Sequence, residues 1–204
     1  MKHLILFSNT TEVAMKQIVP LLFPQDMLHK VFAYMPSDGG LRGERYERFT
    51  NSWRMLAGQH NAEFLYVDNS LLDVQEEIEK LRWANILLIT GGNSLVLLRN
   101  LRRSGLDQAI IEMAKRERTI LAGFSAGAMI FTPTVQLAMF DLWRDDNSDA
   151  QLTNFDALCF VDYEVFPHYS EEMKPIFEQY VRTTPNVVKT IRDDEYIVEI
   201  AAHT

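Results

Sequence analysis

Hydrophobic positions along the chain fall into two alternating kinds of run. Strand-length apolar stretches occur at HLILFS (3–8), HKVFAYMP (29–36), AEFLYVD (62–68), NILLIT (85–90) and RTILAG (118–123). Between them lie longer stretches with helical apolar spacing: EVAMKQIVPLLF (12–23), GERYERFTNSWRMLAGQH (43–60), LLDVQEEIEKLRWA (71–84), NSLVLLRNLRRSG (93–105) and LDQAIIEMAKRE (106–117). The first kind predicts buried strands and the second amphipathic helices. Tyr46, Phe49, Trp53 and Leu56 share one helical face, and Val74, Ile78 and Leu81 share another. Punctuation is expected at Pro20, which should end or kink the first helix, at Gly58, at Gly105 and at Asp107 as a cap. Past residue 131 the pattern loosens. LCFVDYEVF (158–166) and EYIVEIAA (195–202) read as strands, with SEEMKPIFEQYVRTT (170–184) as a helix between them. This β–α alternation predicts an α/β fold with a mainly parallel central sheet and helices on both faces. No linker rich in Pro, Gly or Ser divides the chain, so residues 1–204 are expected to form a single domain.

Charge narrows the choice of partners. Lys and Arg number 20 against 28 Asp and Glu, a formal net charge of −8. Nucleic acid needs clustered cations and is not expected as a partner. The densest basic group, Arg99, Arg102 and Arg103, reads as a solvated helix face. Leu4–Phe7 is too short for a signal core or a membrane span, and Cys159 is the only cysteine. A disulfide within the chain is therefore excluded, and a cytoplasmic protein is expected. Cys159 has no neighbouring glycine or base and reads as a buried, inert thiol.

The candidate chemistry centres on Gly123-Phe124-Ser125-Ala126-Gly127, which matches G-x-S-x-G where a predicted strand meets an apolar run. Such a turn projects a serine hydroxyl at the carboxyl edge of a sheet, and flanking glycines let backbone pass close by. The Ala126 N–H, opening the next helix, is aimed to stabilise an oxyanion. A nucleophilic serine needs a base. His3, His29, His60 and His203 lie beside the first strand, in polar connections or in the tail. His168 instead follows a strand-like run and Pro167, which holds Phe166 extended, and so projects from a strand end.

Four segments then occur in order: Thr90-Gly91-Gly92-Asn93-Ser94, the elbow around Ser125, Phe155-Asp156-Ala157-Leu158 and Pro167-His168. Together they resemble the signatures of the peptidase E family of serine peptidases, which contains aspartyl dipeptidase and cyanophycinase. The resemblance implies a fold related to class I glutamine amidotransferases, with serine in place of their elbow cysteine. It implies Ser125 as nucleophile, His168 as general base, and Gly91, Gly92 and Asn93 as the glycine-rich loop. Within that loop Gly92, then Gly91, is favoured for the second oxyanion N–H. It also implies an orienting acid in the segment TIRDDEYIVEI (190–200), where Asp193 ranks first. Asp141, after the elbow, ranks second and Asp194 third.

The resulting expectation is a hydrolase of small peptides, monomeric or homodimeric, with no cofactor, no metal and no membrane partner. The G-E-T-R run of aspartyl dipeptidases is missing after His168, so Arg182 and Lys174 stand as substitute readers of an acidic substrate, opposed by Glu171 and Glu172. An esterase or amidase using the same residues, or a binding protein retaining the elbow, are the rival expectations.

Overall fold

Alternation along the first strand divides the molecule into layers. In β1 (Lys2–Phe7), Leu4 and Leu6 enter one hydrophobic cluster while Ile5 and Phe7 enter the other, as a period of two requires. The protein is described here as a computed structural model covering residues 2–39, 43–71, 73–140, 145 and 147–201. Helices α1 (Glu12–Leu22) and α2 (Glu44–Gln59) cover the Ile5 and Phe7 face through Ala14, Ile18, Leu22, Trp53 and Ala57. The opposite face is covered by α3 (Gln75–Trp83), α4 (Ser94–Ser104) and α5 (Leu106–Lys115). The sheet between them joins β2 (Lys30–Met35), β3 (Ala62–Tyr66), β4 (Ile86–Ile89), β5 (Ile120–Phe124) and β8 (Tyr196–Ala201) to β1, in the order β3-β2-β4-β5-β1-β8. Neighbours are parallel except β8, which is antiparallel to β1 at one edge. The central strands β4 and β5 are buried along their whole length, which explains why they read as continuous apolar runs.

Parallel strands end on the same side, so the carboxyl ends of β1, β2, β4 and β5 form one edge. In open α/β sheets this edge is where ligands bind. A smaller parallel sheet, β6 (Tyr163–Phe166) and β7 (Val187–Thr190), stands beside it, connected through α7 (Lys174–Val181). Its buried anchor is Glu164, whose carboxylate accepts hydrogen bonds from Thr184 Oγ1 at 2.7 Å, Asn186 Nδ2 at 2.7 Å and the Tyr180 hydroxyl. A buried carboxylate persists only with such partners. Burial, together with this carboxylate, raises the Tyr180 phenol well above its ordinary range. Among the described residues, no helix is long and apolar enough to cross a membrane.

Several local expectations are corrected. Pro20 does not itself end α1, which runs two residues further to Leu22 and keeps the Phe23 N–H to Val19 carbonyl bond at 2.9 Å. Lacking an N–H, Pro20 removes the helical bond to the Lys16 carbonyl, and the helix extends only two residues past it. Gly58 does not stop α2; the helix continues to Gln59 and His60 caps it. Asp107 is not the cap of α5, whose N-cap is Gly105 in the left-handed region at φ 75°. The Asp107 carboxylate accepts from the Gln108 N–H inside the first turn, where a negative charge still suits the helix dipole. The strand expected over 158–166 is confined to its last four residues, Tyr163–Phe166. Residues 157–160 instead donate backbone hydrogen bonds to carbonyls of residues 130–133. That irregular path puts Cys159 at φ 52° and exposes it, contrary to the buried thiol expected. The helix expected over 170–184 shortens to α7, preceded by a 3₁₀ turn at Glu171–Met173.

Candidate active site

Backbone crowding builds the Ser125 turn. Ser125 sits between β5 and α6 (Ala126–Met129) at φ 52° and ψ −117°, a conformation that L-residues rarely hold. A Cβ on Gly123 would lie 2.0 Å from the Gly127 carbonyl oxygen, and one on Gly127 would lie 2.1 Å from the Ile89 carbonyl oxygen. Only glycine fits at either position, so α6 can press its first turn onto the ends of β4 and β5. The Ser125 N–H donates to the Phe7 carbonyl at 3.1 Å, tying the turn to β1 as well. Ala126 opens α6, so its N–H has no acceptor within the helix.

The glycine-rich loop comes alongside from the end of β4. A Cβ on Gly91 would lie 3.0 Å from the Ser125 Cβ. The Gly91 carbonyl accepts from Ser37 Oγ at 2.9 Å and from Thr90 Oγ1 at 3.1 Å. Because a trans peptide points its N–H opposite its C=O, this anchoring turns the Gly92 N–H away from Ser37 and Thr90. Gly92 itself takes φ 145°, and a Cβ there would strike Ser37 Oγ at 1.9 Å. Asn93 serves α4: its side-chain oxygen caps the helix, accepting from the Leu95 and Val96 N–H groups at 2.9 and 2.8 Å.

His168 and Asp193 arrive from the smaller sheet. His168 follows β6 at φ 56°, and Asp193 lies in the turn between β7 and β8. His168 Nε2 is 2.9 Å from Ser125 Oγ, and Nδ1 is 2.6 Å from Asp193 Oδ1. The partners fix the proton's position: Nδ1–H donates to the carboxylate, leaving Nε2 to accept from the serine. Ser8, fully buried at the end of β1, accepts the His168 backbone N–H at 2.6 Å and donates to Asp193 Oδ1 at 3.0 Å. Asn9 Nδ2 donates to Asp193 Oδ2 at 3.2 Å, and Thr11 Oγ1 to the Asp193 carbonyl at 3.3 Å. Burial pushes the Asp193 carboxyl upward, but hydrogen bonds from His168, Asn9 and Ser8 outweigh it and hold it below the ordinary aspartate value. Hydroxyl, imidazole and carboxylate chained in this order can take a proton from the hydroxyl and steady the resulting imidazolium.

The family model for peptidase family S51 matches residues 4–203. The chain belongs to peptidase family S51. This makes it a serine peptidase, and its relatives agree. An uncharacterized peptidase of Listeria monocytogenes serovar 1/2a is 31% identical over 83% of this chain and 79% of its own. A peptidase E of Shigella flexneri serotype 5b is 24% identical over 84% of this chain and 70% of its own. A crystal structure of a Listeria monocytogenes EGD-e protein, provisionally identified as a peptidase E, superposes with a TM-score of 0.74 at 26% identity, covering 99% of this chain and 100% of that one.

Within this S51 peptidase the other sequence candidates fall elsewhere. Asp194 is exposed and makes no hydrogen bond to His168 among the described residues, where the imidazole is bonded to Asp193 instead, and Asp141 lies outside the described residues. Lys174 opens α7 and Arg182 caps its C-terminus, both exposed, and neither lines the cavity that borders Gly91 and Gly92. Glu171 is engaged with Arg192 at 2.6 Å. Ser8, Asn9 and Thr11 were not singled out from the sequence. Their only signal was position: four polar residues, SNTT, directly after a buried strand of a parallel sheet.

Proposed function

We propose that this S51 peptidase hydrolyses small peptides in the manner of a dipeptidase E. Ser125 Oγ attacks the scissile carbonyl carbon while His168 Nε2 takes its proton. The Ala126 and Gly92 N–H groups stabilise the tetrahedral oxyanion. Asp193 holds the imidazole in the required tautomer and balances its positive charge. His168 then gives the proton to the leaving amine, and an acyl group remains on Ser125. Water, losing a proton to Nε2, attacks that ester, and Ser125 leaves with the proton returned to it.

The observation that carries this reading is the unbroken chain from Ser125 Oγ through the imidazole to Asp193, at 2.9 and 2.6 Å. The test is Ser125→Ala assayed on a panel of unblocked dipeptides and aminoacyl esters. Turnover should fall by about 10⁴-fold or more, with the circular dichroism spectrum and melting temperature retained. Undiminished turnover by the purified variant contradicts the reading. Esters turned over with every peptide refused would favour an esterase using the same residues.

A further inference from the structure

A cavity of about 840 Å³ borders the Gly91–Gly92 loop and Phe124, the residue before Ser125. Its size falls within the range of small-molecule sites, about 300–1,000 Å³. One wall is α2 and another is the segment after β2. Among its described lining residues only two are charged: Arg48, on α2, and Asp38, after β2. Arg48 Nε donates to the Glu44 carbonyl one turn back at 3.3 Å, and its two terminal nitrogens make no hydrogen bond among the described residues. Neither Arg48 nor Asp38 belongs to an ion pair among the described residues. Four aromatic residues, Tyr34, Tyr46, Phe49 and Phe124, share the lining with uncharged polar ones such as Ser37, Ser52 and Thr90.

We infer that Arg48 and Asp38 read the two ends of the substrate, Arg48 its carboxylate and Asp38 its ammonium. The inference rests on the peptidase reading proposed above and names its substrate class: short peptides with both termini free and apolar side chains. A chain of net charge −8 repels an anion in general, so a carboxylate needs a local cation, and the described lining offers one. A short unblocked peptide carries one positive and one negative end a few bonds apart, matching one anion and one cation in a common cavity. An internal segment of a long protein carries neither, and leaves Arg48 and Asp38 without partners. With Arg48 taken by the terminal carboxylate, the described lining holds no second cation for an acidic side chain, while its four aromatic residues offer contact to an apolar one.

The test separates binding from chemistry. Calorimetric titration of Ser125→Ala protein compares leucyl-phenylalanine with its N-acetyl and C-amide forms. Each blocked form should bind about 10- to 100-fold more weakly, the worth of one hydrogen-bonded charge. Adding Arg48→Gln should bring the free peptide down to the level of the amide and leave the penalty for acetylation in place. Adding Asp38→Asn should do the reverse. Equal binding of all three peptides overturns the inference, as does a uniform loss in either variant. In parallel, the part of wild-type p-nitrophenyl acetate hydrolysis that Ser125→Ala loses reads Ser125 chemistry, since this ester has no charged end. Ester turnover alongside equal binding overturns only the charge reading. No turnover of ester or peptide overturns the proposed function and the inference built on it.

Discussion

The two halves of the candidate site are held by different forces. Ser125 is locked by backbone: glycines that admit no Cβ, a bond to β1, and the first turn of α6 pressed onto the end of β4. His168 and Asp193 are held by side chains: one buried hydroxyl from Ser8, an amide from Asn9, and Thr11 at the start of α1. The Asp193 side chain is half exposed, at 50%, and that of His168 is 27% exposed. The serine therefore sits in a sterically locked turn, and its proton acceptor is tethered across a junction between two sheets. Steric locks tolerate no substitution, whereas tethers loosen by degrees.

Removing the charge at the tethered end should have the largest effect. Asp193→Asn would leave Nδ1 facing an amide and favour the wrong tautomer, so kcat should fall by about 10²- to 10³-fold with KM little changed. Water can replace part of the half-exposed carboxylate, which sets the lower figure. Steady-state kinetics decides it; a fully active variant would mean that the tether is not part of the site.

Next comes the lock. Gly127→Ala would drive a methyl group into the Ile89 carbonyl, and thermal or urea unfolding should show a loss of about 3 kcal/mol or more. A stable, active variant would show that the elbow yields and that the contrast between the two halves is wrong. Ser8→Ala should be milder: about 10-fold in kcat, from two lost hydrogen bonds near a charged pair, with the elbow unaffected and partial rescue by Ser8→Thr. If Ser8→Ala lowers stability and kcat stays at the wild-type level, Ser8 only joins the sheets.

The smallest effect concerns acid. The Asp193 carboxyl is held below its ordinary value, so its contribution to stability is full above the unfolded aspartate value and lost as pH falls through the folded one. The stability difference between wild type and Asp193→Asn should therefore shrink on acidification from about pH 6 to about pH 2.5. At half exposure, solvent screening keeps that difference below about 1 kcal/mol. A difference that grows toward acid would mean that the carboxylate is not stabilised by its hydrogen bonds.

Legibility in the sequence follows the same division. β4 and β5 announce themselves because they are buried along their whole length, and β1 and β2 because most of their residues are; the elbow announces itself because its glycines are sterically required. β7 does not: its four residues alternate between exposed and half-buried, so no apolar run marks it. Ser8 is equally silent, since a serine after a strand looks like any loop residue until the chain from β6 returns to meet it 160 positions later. Cys159 misled because its apolar neighbours suggested a strand interior, whereas the backbone there is committed to the loop after α6. Asp193 was reached through its resemblance to a family motif; nothing in its local pattern distinguishes it from Asp194.

The most direct measurement is covalent. A fluorophosphonate reacts much faster with an activated serine than with ordinary hydroxyls, and peptide mapping by mass spectrometry locates the adduct. Wild-type protein should carry one adduct, on Ser125, and labelling should vanish in Ser125→Ala and slow by orders of magnitude in His168→Gln. An adduct on another residue, or labelling at the wild-type rate without the imidazole, would contradict a Ser125 nucleophile activated by His168.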